Sequence, residues 1–370
     1  MRLHPFELER WQSVWENKVE YNLAESGVHP LRLSEVLGGD VTALLDQPLC
    51  YTQTNGTKEL RDAIASIYPA AGPENVLVTN GSSEAIFLTM WSFLERGAKV
   101  AVMLPNYMQA WGLAETMQAK VRGFWLREQE DGWDLNLTAL KRIASSKPKL
   151  IVVCNPNNPT GAKMPEDTVD EICRIARKAG AWILSDEVYH GAELDGQATA
   201  TFWGRYDRVI VTGGLSKAYG LPGLRVGWAV TKPDLAAKLW AYHDYTTICP
   251  TALSDFIARK VLQPDKRTMV LSRTRRILQE NLPIVTEWVR RQQGRFSLMA
   301  PKAGAIAFVR YFIKINSTKL AERLVREKST LIVPGDQFGL DHYIRIGYGS
   351  PQGYLKAGLS RLEELVGSLR

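Results

Sequence analysis

Four short apolar runs constrain this 370-residue chain more than any other feature. They are 99–104 (KVAVML), 149–154 (KLIVVC), 182–185 (WILS) and 208–212 (RVIVT). Each is too short for a helix and apolar at nearly every position, the pattern of a strand covered on both faces. Helical patterns lie between them. The stretch 82–96 opens on Ser82 and stops before Gly97. The stretch 165–179 puts Val169, Ile172, Cys173 and Ala176 at i, i+3, i+4 and i+7, on one face. Pro165 suits its first turn and Gly180 its stop. Strand, helix and strand in this rhythm predict βαβ units and a mainly parallel sheet.

After about residue 230 the texture changes. Long helices are expected over 232–247 and 268–293. Short strands follow at 296–299, 305–311, 331–333 and 343–346, mixed with helices over 317–328 and 351–366. This predicts three parts: an N-terminal arm over 1–45, a large α/β domain over 46–280, and a smaller C-terminal α+β domain over 281–370 that packs with part of the arm. The boundary is expected inside a long helix, within 275–295. Trp11 and Trp15, four apart on the arm, read as a packed helix face or as a hydrophobic lid.

The charge excludes some partners. The net value is +7, and the densest basic group is Lys266, Arg267, Arg273, Arg275 and Arg276. No nucleic-acid motif accompanies it, so it reads as a solvated helix face. The cysteines (Cys50, Cys154, Cys173 and Cys249) show no metal-ligand spacing, and no metal is expected. Cys154 and Cys173 read as small core residues. A reduced, cytoplasmic setting fits. The N-terminus lacks the apolar core of a secretory signal, and no stretch approaches the ~18–20 apolar residues of a membrane span.

Four segments carry chemistry: NPNNPTG (155–161), SDEVY (185–189), SKAYGLPGLRVG (216–227) and YIRIGYG (343–349). Asp186 ends a buried strand, at the sheet edge where open α/β sheets bind ligands. Read alone, it is equally a turn cap. Tyr189 lies three residues on. Lys217 sits in a Gly/Pro-rich bend after another strand and, read alone, is a solvated side chain. Arg225 follows eight residues later, and a Lys and an Arg on one crevice suit a ligand with an electrophile and a phosphate. Asn158 is placed to offer its amide, in what is otherwise a plain turn. Arg345 lies among apolar neighbours, where a guanidinium needs an anion. Its plain reading is an edge-strand surface residue.

In this order and spacing, the four segments resemble the class I/II aminotransferases. These are fold-type I enzymes dependent on pyridoxal 5′-phosphate. The resemblance runs from about residue 20 to the C-terminus. It implies a large domain with a mainly parallel seven-stranded sheet plus a smaller α+β domain. It also implies roles. Lys217 forms a Schiff base with the cofactor and then moves the proton, through a quinonoid intermediate. Asp186 pairs with the pyridinium nitrogen. Tyr189 and Asn158 bond the ring hydroxyl, Arg225 and Ser216 serve the phosphate, and Arg345 forks the substrate α-carboxylate. The amides of Ser82 and Ser83 bind the phosphate at a helix start. Tyr107 stacks on the ring, and Gly27 lies near the substrate carboxylate. Tyr51 reaches the cofactor of a partner subunit, which implies a homodimer with shared sites. The Asn158–Pro159 bond is expected to be cis. Gly214 departs from the pattern, since the family often has Ser or Thr there as a phosphate ligand. The implied activity is amino transfer from an L-amino acid to a 2-oxo acid. The alternative is a β-eliminating lyase, or a cyclising enzyme like capreomycidine synthase, on a modified amino acid. There Glu25 would meet a basic side chain.

Overall fold

Alternate residues of the apolar runs feed two separate cores. In the computed structural model, which describes residues 4–39, 41–130 and 132–369, the runs become strands of one large sheet. Its strands are β1 (Val76–Thr79), β2 (Lys99–Leu104), β3 (Lys120–Gln129), β4 (Gly132–Leu135), β5 (Leu150–Cys154), β6 (Trp182–Asp186), β7 (Val209–Gly214) and β8 (Gly227–Val230). The spatial order is β1-β8-β7-β6-β5-β2-β3-β4. One face sends Ala101, Met103, Ile151, Val153, Ile183 and Val211 into one core. The other sends Val100, Val102, Leu150, Val152, Leu184 and Ile210 into a second. Each Val, Leu, Ile or Met among them contributes about 1.5–3 kcal/mol when fully buried.

The five strands from β7 to β3 are parallel. β8 runs antiparallel to both β7 and β1, so β1 points the same way as β7. The expected seven strands are therefore present, with β4 added as an eighth. It pairs antiparallel only with the far end of β3, at Leu126–Gln129, beyond the part that pairs with β2. Helices Ser82–Phe93, Gln109–Thr116 and Pro233–His243 cover the second core. Helices Lys58–Ala65, Leu137–Ala144 and Glu166–Ala179 cover the first. Pro165 is the N-cap of the last of these, one position before the first turn expected for it.

The helix Pro264–Arg291 leads into a second, antiparallel sheet. Its strands are β9 (Phe296–Leu298), β10 (Ile306–Tyr311), β11 (Val333–Pro334) and β12 (Tyr343–Gly347), in the order β9-β10-β12-β11. The single strand expected over 331–333 divides. Thr330–Leu331 pairs in parallel with Tyr21–Asn22 of the arm, and β11 joins the sheet. The arm then runs along β12, with Gly347 N–H donating to the Leu23 carbonyl at 2.7 Å. No helix among the described residues is long and apolar enough to cross a membrane.

Candidate active site

One edge of the large sheet gathers the ends of β1, β2, β5, β6 and β7. Each is followed there by a segment with chemistry: Ser82–Ser83, Tyr107, Asn158, Asp186 with Tyr189, and Ser216–Lys217. These residues, with Arg225 from the bend before β8 and Arg345 from β12, line one cavity of about 280 Å³. Gly27 lies just behind it; a Cβ there would stand 3.6 Å from Lys217 Cδ. Tyr51 is outside and 82% exposed. A larger hollow of about 850 Å³ lies between Trp125–Trp133 and the small sheet. It is open, and none of these groups faces it. The Asn158–Pro159 bond is cis, as are Leu104–Pro105 and Asn155–Pro156.

Burial dominates the electrostatics. Asp186 is 9% exposed, and desolvation pushes its carboxyl up to about 6. It accepts hydrogen bonds from Val188 N–H at 3.2 Å and the Thr212 hydroxyl at 3.3 Å. The Tyr189 hydroxyl is buried and makes no hydrogen bond among the described residues, with the Ser26 side chain nearby. Burial raises its pKa as well. Lys217 Nζ lies 2.9 Å from Glu25 Oε1. Burial works against the ammonium, but the charge and hydrogen bond of Glu25 together with Tyr189 outweigh it, so the lysine pKa lies above its ordinary value. In turn the ammonium holds the Glu25 carboxyl down at about 2.

Asp186 yields a testable pH dependence. Its folded pKa of about 6 lies above the ordinary 3.8. The native state therefore binds the proton more tightly, and stability falls as pH rises from about 4 to about 6. Cofactor-free Asp186→Asn lacks this loss. Its melting temperature should match wild type near pH 4 and exceed it at pH 7, as read by calorimetry. Parallel pH curves for the two proteins would refute the shift.

Backbone builds the opposite end. The helix Ser82–Phe93 starts without a side-chain cap, leaving the Ser82 and Ser83 amides as free first-turn donors. A Cβ on Gly227 would stand 2.2 Å from Ser82 N, so only glycine lets β8 pass this close. Arg225 adopts φ +51°. Its guanidinium crosses Gly81, where a Cβ would stand 2.3 Å from Nη2. Nη1 donates to the Ser216 hydroxyl at 3.3 Å. A Cβ on Gly214 would stand 3.1 Å from the Val226 carbonyl oxygen, which disfavours a side chain at the departing position. Gly227→Ala should cost about 1–3 kcal/mol through overpacking. An unchanged melting temperature would mean that the helix start yields freely.

Arg345 is 1% exposed. Nη1 donates to Asn158 Oδ1 at 3.0 Å, and Nη2 to the Ala24 carbonyl at 2.7 Å and Gln12 Oε1 at 3.4 Å. Nε has no partner, and the guanidinium lies 5.4 Å from the Phe338 ring centroid. Among the described residues no carboxylate forms an ion pair with it. Burial lowers its pKa. The Glu25 and Glu9 carboxylates act on it only from a distance, and a buried cation whose direct hydrogen-bond partners are all neutral is a ready receptor for an anion.

The arm helix Glu7–Trp15 supplies residues that motif reading misses. Glu9, Gln12 and Glu16 face the cavity, and Glu9 accepts a 2.7 Å hydrogen bond from the Tyr107 hydroxyl. Tyr107 also packs edge-on against Phe6 at 5.0 Å. Trp11 and Trp15 turn away. Their rings lie 6.2 Å apart, and Trp11 Nε1 donates to the Ile332 carbonyl. The packed-face reading holds for them, and the side over the cavity is polar. The available signal was the polar i, i+3, i+7 spacing of Glu9, Gln12 and Glu16.

The donor set fits the cofactor that the sequence resemblance implies. An amine, a strand-end carboxylate, an unpartnered buried phenol and a cradle of amides with a guanidinium face one another. Comparison with known proteins agrees. The family model for aminotransferase class I and II matches residues 47–362. Capreomycidine synthase of Streptomyces vinaceus is 32% identical over 98% of this chain and 93% of its own length. The crystal structure of a PLP-dependent aminotransferase from Streptococcus suis 89-1591 superposes with a TM-score of 0.93 at 31% identity, covering 100% of this chain and 99% of that one. The PLP-dependent cyclase OrfR superposes with a TM-score of 0.89 at 26% identity, over 99% and 98%.

Proposed function

The chain belongs to the aminotransferase class I and II family, with pyridoxal phosphate as cofactor, and from that premise we propose that it transfers the amino group of an L-amino acid to a 2-oxo acid. The observation that carries this is the convergence of Lys217, Asp186 and the anion-free Arg345 on one cavity. When bound, pyridoxal phosphate supplies an aldehyde for the amino group and an electron-withdrawing ring.

The chain's residues do the rest. Asp186 holds a proton on the ring nitrogen by pairing with it. Lys217 Nζ holds the cofactor and later moves the proton released from the substrate Cα. Arg345 grips the α-carboxylate, with Asn158 and the backbone by Gly27 orienting it. Tyr189 and Asn158 bond the ring hydroxyl, and Tyr107 covers the ring face. Ser82, Ser83, Ser216 and Arg225 hold the phosphate. Tyr51 serves the site of a second copy. Leu45, Leu49, Tyr51 and Tyr245 are 78%, 82%, 82% and 89% exposed, large apolar side chains that a homodimer would cover.

The test is spectroscopic. Holoenzyme mixed with single amino acids and no oxo acid should pass to the pyridoxamine form and release one equivalent of oxo acid. No spectral change with any amino acid would argue against the transfer.

A second reading is favoured by the carboxylates of Glu9, Glu16 and Glu25 on the substrate side. They suit an amino acid with a cationic side chain. The kinship with a capreomycidine synthase and a cyclase supports β-elimination or cyclisation of a modified amino acid. In that case a leaving group appears while the aldehyde form of the cofactor is retained.

A further inference from the structure

Beneath the Ser82–Ser83 helix start lies a polar cluster, buried at His243 and exposed at Thr246 and Thr247, that the roles above do not use. The Glu84 side chain is 8% exposed and His243 is fully buried. Glu84 accepts hydrogen bonds from Asn80 N–H and from the Thr246 and Thr247 hydroxyls, the last at 2.9 Å. His243 Nε2 lies 3.2 Å from Glu84 and 2.9 Å from the Thr247 hydroxyl. His243 Nδ1 lies 3.1 Å from the Thr54 carbonyl. That oxygen only accepts, so Nδ1 carries the proton of that bond, and Nε2 bonds the Glu84 carboxylate as a donor when the ring carries a second proton. Trp240 Nε1 donates to the Thr54 hydroxyl at 2.7 Å, and the Thr52 hydroxyl to the Pro250 carbonyl at 2.8 Å.

Three segments are thereby tied together: 52–54, 243–250 and the turn 80–84. The last is the one whose position matters most. Ser82 and Ser83 offer their amides only while the turn before them is held still. Glu84 is the next residue, and nothing caps the helix in its place. Burial alone would raise the Glu84 carboxyl, and the bonds from His243, Thr246 and Asn80 outweigh it, holding it at about 2. It is therefore a permanent anion, and His243 is its buried aromatic partner. The same segment carries Ile248 at φ +67°, an uncommon backbone state for a β-branched residue. A strained turn persists only where its surroundings fix it.

We propose that His243 is a positioning residue that, through Glu84, fixes the Ser82–Ser83 amides for the cofactor phosphate. The proposal rests on the reading that this end of the cavity holds the phosphate. It touches neither the cofactor ring nor the substrate.

Pyridoxal, which lacks the phosphate, separates this role from general loosening. Full-length holoenzyme reconstituted with pyridoxal phosphate or with pyridoxal is dialysed, and retained cofactor is read from its visible absorbance. His243→Ala should shorten the retention of pyridoxal phosphate by about tenfold, the scale of a lost hydrogen bond to a charged group. Retention of pyridoxal should stay within about twofold. Glu84→Gln, nearly identical in shape, carries the same expectation if His243→Ala folds poorly. His243→Gln, whose amide can still donate to Glu84, should recover part of the loss. Equal shortening for both cofactors, or none for either, overturns the proposal. Arg225→Ala is the companion. If it loses the preference for the phosphorylated cofactor while the His243 and Glu84 variants keep it, the proposal alone fails. If none of the three loses it, the placement of the phosphate fails too, and the proposal with it.

Discussion

Lys217→Ala is expected to reduce turnover by about 10⁴-fold or more, because one side chain provides both the covalent hold on the cofactor and the proton transfer. Among the described residues lining the cavity Lys217 is the only primary amine; the other cations are guanidiniums, which neither lose a proton readily nor attack an aldehyde. Lys217→Arg separates charge from chemistry. It keeps a cation beside Glu25 but has no amine, so its turnover should fall as far as that of the alanine variant. Its melting temperature should stay closer to wild type. Retained turnover in either variant would remove Lys217 from its role.

Arg345→Ala is the second large effect. The fork is buried, its Nε makes no hydrogen bond, and its hydrogen-bond partners are neutral. Truncating one partner of a buried charged pair costs about 2–5 kcal/mol, so kcat/KM for amino acids should fall by about 10²–10³-fold. Stability should move much less. The substitution strands the Ala24 carbonyl and the Asn158 amide, but it also removes a buried charge that the free protein leaves unpaired. Arg345→Lys keeps the charge without the planar fork and should recover only part of the loss. An amine without the carboxylate provides the control, since it should react equally slowly with wild type and variant. If the variant also slows that amine, Arg345 acts by some route other than gripping the carboxylate.

The strands that the sequence reveals are those buried on both faces. In β5 and β7 every residue is buried, and apolar composition alone marks them. β3 reads KVRGFWLREQ, has only Phe124 and Leu126 buried and carries charges along its length, so no apolar run announces it. β1, β4 and β8 have four residues each, too few for a period to declare itself. The run at 331–333 is apolar because it serves two sheets in succession, and composition does not reveal such a division. Residues that follow strand ends within motifs, such as Asp186, Lys217 and Asn158, were legible because the motif fixes both the element and the edge. Glu9, Gln12 and Glu16 were not. Their helix meets the cavity only because Trp11 packs on the small sheet, and that contact joins residues 321 positions apart. Tyr51 is a third kind of case. It stands in solvent on this chain, and its expected role needs a second copy.

The central claim is that Lys217 Nζ carries the cofactor. The direct measurement is borohydride reduction of the holoenzyme followed by peptide mass mapping. A single phosphopyridoxyl group is expected, fixed as a secondary amine on the peptide containing Ser216–Lys217. A label on another lysine, or no label on a protein that binds the vitamer, would contradict it.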